Sequence, residues 1–198
     1  MTEPTGRRER KKAQTRQSLA DAALRLFLDR GYDQVGVKDV ADAADVSVTT
    51  LFKHFSRKEA LVFDQDDDLE AALVAAVRDR APGQSIPRAL CEHLLRTRTR
   101  LAVDAGNPRF AAFTRMVRDT PALREYAHEM WMRHEAALAR AIAHEVGAPE
   151  GDIGCAALAR FALEARLLVQ RHPDDPRRAA EGAFALLEHG WEAVHPGN

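Results

Sequence analysis

The segment Val37–Phe55, VKDVADAADVSVTTLFKHF, restricts the possible folds of this 198-residue chain more than any other. Val37, Val40, Ala41 and Ala44 recur at i, i+3, i+4 and i+7, and Val48, Leu51, Phe52 and Phe55 repeat the spacing. That period is helical. Only Asp45, Val46 and Ser47 separate the two stretches. Asp tolerates the left-handed backbone of a sharp turn, and Ser is a favoured helix N-cap. The pattern predicts a helix-turn-helix whose second helix hides Leu51 and Phe55 and turns Thr49, Thr50, Lys53 and His54 outward. Val48 and Phe52 fall on the inward stripe, where packing and groove contact are both open to them.

The charge distribution agrees. Net charge is −1, yet residues 1–58 carry twelve Lys/Arg against eight Asp/Glu, a net of +4, and the remainder carries −5. A basic front end on an acidic body suits contact with a polyanion through one region only. Residues 1 to about 12, with Arg7, Arg8, Arg10, Lys11 and Lys12, read as a mobile basic arm. No apolar segment follows them, so no secretory signal is expected and the cytoplasm is the expected address. No run approaches the ~18 apolar residues of a membrane helix. Cys91 and Cys155 lack metal or redox spacing and read as small buried residues.

The remaining punctuation is helical throughout. Leu19, Ala22, Ala23, Leu26 and Phe27 make one face of a first helix that stops at Gly31. Ser56-Arg57-Lys58-Glu59 has the form of a capping box, predicting a fourth helix to about Arg80. Further helices are expected from Ser85-Ile86-Pro87, Asn107-Pro108, Thr120-Pro121, Asp152 and Asp175-Pro176. No strand alternation and no internal repeat is visible. The expectation is an all-α chain of about nine helices, with a DNA-binding domain over 1–56 and a helical ligand-binding and dimerisation domain over 57–198. Small residues crowd the last two helices, among them Ala156, Ala159, Gly182, Ala183 and Gly190. They suit close packing against a symmetry mate as a four-helix bundle, or simply a helix-favouring monomeric core.

With Gly31-Tyr32 closing a helix and VKDVADAADVSVTTLFKHFSRKEAL following, residues 13–63 resemble the TetR (tetracycline-repressor) family of transcriptional regulators. The resemblance implies a homodimer on a palindromic operator in double-stranded DNA, released by a small molecule held in the body. It places Val48, Thr49, Thr50 and Lys53 towards the major groove, and Phe52, His54 and Lys58 at the phosphate backbone. Lys38 and Ser47 complete the expected DNA-contacting set. Side-chain chemistry agrees independently: methyls of Val48 and Thr49 suit thymine methyls, and Lys53 suits guanine O6 and N7. Lys58, at the start of its expected helix, is disfavoured by the dipole unless a phosphate lies beside it. The chain departs from the family at three places. Asp45 stands where Gly is usual, Gly36 where a hydroxyl residue is frequent, and Phe52 where Tyr is common.

The body offers fewer signals. The acidic run Asp64–Asp68 lacks a calcium-loop glycine and reads as a solvated face. No HExxH, GxSxG or P-loop occurs, so no catalytic residue, metal or cofactor is nominated. Phe110, Phe113, Met116, Trp131 and Phe161 are candidate ligand-lining residues, with Glu164 a polar anchor or merely a partner of Arg160 at i−4. Two rival functions remain at this point: a DNA-binding regulator without an effector, and a helical enzyme carrying a vestigial helix-turn-helix.

Overall fold

The computed structural model describes residues 4–105, 108–172 and 174–194. Among these, nine α-helices and one 3-10 turn account for the regular structure. They are α1 (Pro4–Arg30), α2 (Val37–Ala43), α3 (Val48–His54), the 3-10 turn Glu59–Leu61, α4 (Asp66–Arg78), α5 (Ile86–Ala105), α6 (Pro108–Asp119), α7 (Pro121–Val146), α8 (Ile153–Gln170) and α9 (Pro176–Val194). The described residues fall into two compact units. One lies within Met1–Asp66 and Asn107–His128, the other within Asp67–Gly106 and Glu129–Asn198.

Two expectations need correction. The basic run is helical, because α1 begins at Pro4 instead of after an arm. Arg, Lys, Glu and Gln are good helix formers, and Arg10 Nε donates to the Gly6 carbonyl one turn back, at 3.1 Å. The helix expected from Ser56 is also interrupted. Arg57–Val62 closes as a single 3-10 turn, and α4 starts only at Asp66. Glu59, the would-be capping partner of Ser56, instead accepts a 2.8 Å bond from the Tyr32 hydroxyl. The acidic run then supplies the negative charge that a helix N-terminus favours, which suits a restart at Asp66. Of the expected capping pairs, Asn107 lies outside the described residues. Asp152 Oδ1 accepts from the Cys155 amide at 2.9 Å and Asp175 Oδ1 from the Arg178 amide at 3.1 Å, as their spacing predicts.

In the first unit α1 packs on α2, α3, α6 and the 3-10 turn. Leu19, Ala23, Phe27, Val35, Val40, Leu51, Phe55 and Leu61 are buried there. Tyr126, at the first-unit end of α7, stacks on Phe63 (centroids 5.3 Å apart), and the Arg57 guanidinium lies 4.4 Å from its ring centroid. The second unit is built on α8 against α9, with α5 on both. Its core joins Ile86, Leu90, Leu138, Ile142, Leu158, Phe184 and Trp191 around Ala159, Ala165 and Ala180. Both cysteines are buried and free, and burial together with Asp152 pushes the Cys155 thiol up to about 12, so it stays protonated and inert.

Candidate nucleic-acid interface

The turn between α2 and α3 is built as its sequence requires. Asp45 takes φ +54°, the single non-glycine residue with positive φ among the described residues. The Val46 amide donates to the Ala41 carbonyl at 3.0 Å and the Asp45 amide to Asp42 at 3.2 Å. That pair of bonds is a Schellman closure with Asp in the place glycine usually fills. Ser47 then caps α3, its hydroxyl accepting from the Thr50 amide at 3.1 Å. At the other end of α2, Asp39 reaches back to accept from the Gly36 amide at 2.7 Å. One half of a capping box therefore survives without a hydroxyl at position 36.

These bonds matter because α3 has only seven residues, too few to be stable alone. Tertiary packing supplies the remainder: Leu51 is 0% and Phe55 2% exposed. Only those two of the four-residue stripe are buried. Phe52 stands 49% exposed, and Val48 is half-buried. Thr49 and Lys53 are exposed, while Thr50 and His54 are half-buried. Val48, Thr49, Phe52 and Lys53 therefore share one outward surface at i, i+1, i+4 and i+5, on a helix whose opposite side is locked.

The flanking cations occupy different settings. Lys38 is exposed and pairs with Asp42 at 2.6 Å, which raises its pKa. Lys58 is turned inward. Its ammonium donates to the Tyr32 carbonyl at 2.6 Å and lies 3.9 Å from the Tyr32 ring centroid. Burial lowers its pKa, and the carboxylates of Asp33, Glu59 and Asp39 oppose that shift. Tyr32, buried and donating to Glu59, has its own pKa raised. His54 is lowered by burial first and then by the cations Lys12 and Arg16, so it is neutral at pH 7. Arg16, absent from the sequence-derived set, donates to the carbonyls of His54 and Asp64, each at 2.8 Å. Its sequence signal is an arginine heading the stripe Leu19, Ala23 and Phe27 on α1, at i+3, i+7 and i+11.

The candidate ligand residues divide between the units. Phe110, Phe113 and Met116 are half-buried on α6, in the first. Trp131, Phe161 and Glu164 belong to the second. Trp131 forms a T-shaped pair with buried His134, ring centroids 5.3 Å apart, and carries the Arg166 guanidinium 3.9 Å from its ring centroid. Phe161 is 56% exposed, and Glu164 is exposed, 3.7 Å from Arg160. None of the six lines the open cleft of about 340 Å³ between α4 and α5, whose lining includes Ala75, Ala76, Asp79, Arg80, Glu92 and Arg96. No group of three or more metal-ligating side chains occurs among the described residues, and no helix there is long and apolar enough to cross a membrane.

Comparison with known proteins converges on one family. Residues 19–64 match the family described as bacterial regulatory proteins, tetR family. Over 151 residues the chain is 32% identical to the HTH-type transcriptional regulator TcmR of Streptomyces glaucescens, covering 74% of this chain and 67% of that protein. It is 28% identical over 141 residues to the HTH-type transcriptional repressor KstR2 of Rhodococcus jostii, covering 67% of this chain and 69% of that protein. The fold matches the crystal structure of a TetR-family regulator from Streptomyces coelicolor with a TM-score of 0.60 at 17% identity, over 89% of this chain and 96% of that one. The locked helix-turn-helix and these matches lead to the same place: the chain belongs to the TetR family and is a DNA-binding transcriptional regulator, not an enzyme.

Proposed function

We propose that this regulator is a homodimeric repressor that reads a palindromic operator with α3 and lets go when a small molecule binds its body. The observation that carries the DNA-reading part is the outward row of α3, Thr49 and Lys53 with half-exposed Phe52, backed by fully buried Leu51. A helix held from behind presents its hydroxyl and ammonium groups in a fixed geometry, which base-edge recognition needs. Val48, Thr49, Thr50 and Lys53 face the bases in this reading, and Lys38, Ser47, Phe52 and His54 face phosphates. Lys58 offers a phosphate only the N–H groups that its Tyr32 bond leaves over. DNA reading is assigned to residues 1–56, dimerisation and effector binding to 57–198.

Dimerisation is supported by the outer faces of α8 and α9. On α9, Gly182, Ala185, Leu186, His189 and Gly190 are exposed at helical spacing, with Leu186 78% exposed. A Cβ added at Gly182 or Gly190 meets nothing within 4 Å. Phe161 and Leu168 are exposed on α8. Together they form an apolar, low-relief surface against which a second copy can pack closely. The two α3 helices of a dimer would enter major grooves about 34–36 Å apart on B-DNA. Effector binding in the body rests on the family resemblance.

Band-shift titration on DNA upstream of the protein's own gene, across a range of salt, tests binding. A retarded band that weakens steeply with salt is expected, with sedimentation reporting two chains per complex. No retardation at any salt concentration overturns the reading, as does a single chain in the complex.

A further inference from the structure

Arg16 makes an unusual pair of bonds: both ends of its guanidinium go to main-chain carbonyls. Nη1 donates to His54 O and Nη2 to Asp64 O, each at 2.8 Å, while Cζ lies 4.4 Å from the Phe55 ring centroid. His54 is the last residue of α3, and its carbonyl is among those a helix C-terminus leaves without an internal partner. A cation there also faces the negative end of the helix dipole. Asp64 lies in the short stretch between the 3-10 turn and α4. One planar group based on α1 thus holds the end of α3 and the approach to α4. The guanidinium lies over the ring of buried Phe55.

We propose that Arg16 is a positioning residue for sequence-specific DNA recognition, fixing the angle at which α3 presents Thr49 and Lys53. The proposal rests on α3 being the groove-reading helix. It does not make Arg16 a phosphate contact. The guanidinium fork matches two separated acceptors at once, a geometry an ammonium cannot reproduce. Since both acceptors are backbone, side-chain changes at 54 and 64 leave the link in place. A tilt of α3 misplaces base-edge donors, while phosphate contacts, which need no register, tolerate it. Loss of the clamp therefore lowers discrimination between sequences more than attraction to DNA.

The test uses the full chain, a duplex that the wild type selects from a randomised pool, and a scrambled duplex of equal length. Arg16→Lys keeps the charge and removes the fork. It is expected to fold with near wild-type helicity, to lose roughly tenfold or more in affinity for the selected duplex, and to bind scrambled DNA as before. Its salt dependence on both duplexes is expected to match the wild type. Wild-type affinity of Arg16→Lys for the selected duplex would overturn the proposal. So would an Arg16→Ala protein weakened equally on both duplexes with a salt slope about one unit flatter, the signature of a phosphate contact. An Arg16→Lys chain that cannot fold also overturns it, making the arginine a stability element. Should the wild type select no sequence at all, the assignment of α3 itself fails, a result distinct from each of these.

Discussion

The two units of this regulator reach a defined structure by opposite means. In the first, α2 and α3 have seven residues each, and side chains must hold the main chain in place. Ser47, Asp39, Lys58 and Arg16 each bond a backbone group across a turn or between elements. In the second, α8 and α9 have 18 and 19 residues and pack through alanines and aliphatic side chains. Polar ties such as Arg80 to Glu145 at 2.7 Å, Arg160 to Glu135 at 2.9 Å and Ser85 to Glu188 join side chain to side chain there. The contrast fits the proposed use of α3. Reading base edges requires a helix fixed in angle as well as position, and directional hydrogen bonds give that; apolar contacts fix distance but tolerate sliding. The second unit leaves apolar side chains such as Phe161 and Leu186 outward, and on α3 of the first the half-exposed Phe52 stands beside exposed Thr49 and Lys53.

Truncation should separate the two most clearly. Leu51→Ala, at a fully buried site behind α3, is expected to cost about 3 kcal/mol of stability, read by denaturant unfolding. The same truncation at exposed Leu186 should change the stability of the isolated chain by no more than about 0.5 kcal/mol. Equal losses at both sites would erase the distinction. Next in size, Lys53→Ala is expected to relax sequence preference by about 1–3 kcal/mol at one base position, with folding unchanged, measured by binding to a set of single-base operator variants. Ser47→Ala removes the cap of α3 and should cost about 1 kcal/mol. Its effect on operator affinity should exceed that of removing the α8 cap with Asp152→Ala.

The smallest effect is one of pH. Burial, aided by nearby cations, holds His54 and His93 below their ordinary value of 6.5. The unfolded chain then takes up protons first as pH falls. The contribution of these groups is complete above pH 6.5 and is lost as pH falls through the window beneath it. Denaturant titrations at stepped pH should show stability declining below 6.5, and His54→Asn should soften the decline. A phosphate beside His54 favours its charged form, so operator affinity should move the opposite way and rise as pH falls.

Much of the helix-turn-helix was legible in the sequence, because each local signal reported a local cause. The Asp45 turn, the Ser47 cap and the outward position of Lys53 depend on neighbours within a few residues, and the periodicity of the long helices reports their own buried faces. The basic arm was misread against a local signal, its helix-forming Arg, Lys, Glu and Gln, but two other departures have a long-range origin. The Ser56 box failed because Glu59 is taken by Tyr32, 27 residues away in the chain. Lys58 turned inward for the same kind of reason, towards a carbonyl 26 residues away.

The sequence by itself determined the family, the all-helical class, the helix-turn-helix and the outward Thr49 and Lys53 of its second helix. Only the tertiary structure decided which side chain clamps the end of α3, where α4 begins, and which apolar residues remain outside. The physical reason is range. Periodicity and caps are settled by free energies acting over one or two turns, whereas partners such as Arg16 and Asp64, 48 residues apart, meet only after the chain has closed on itself.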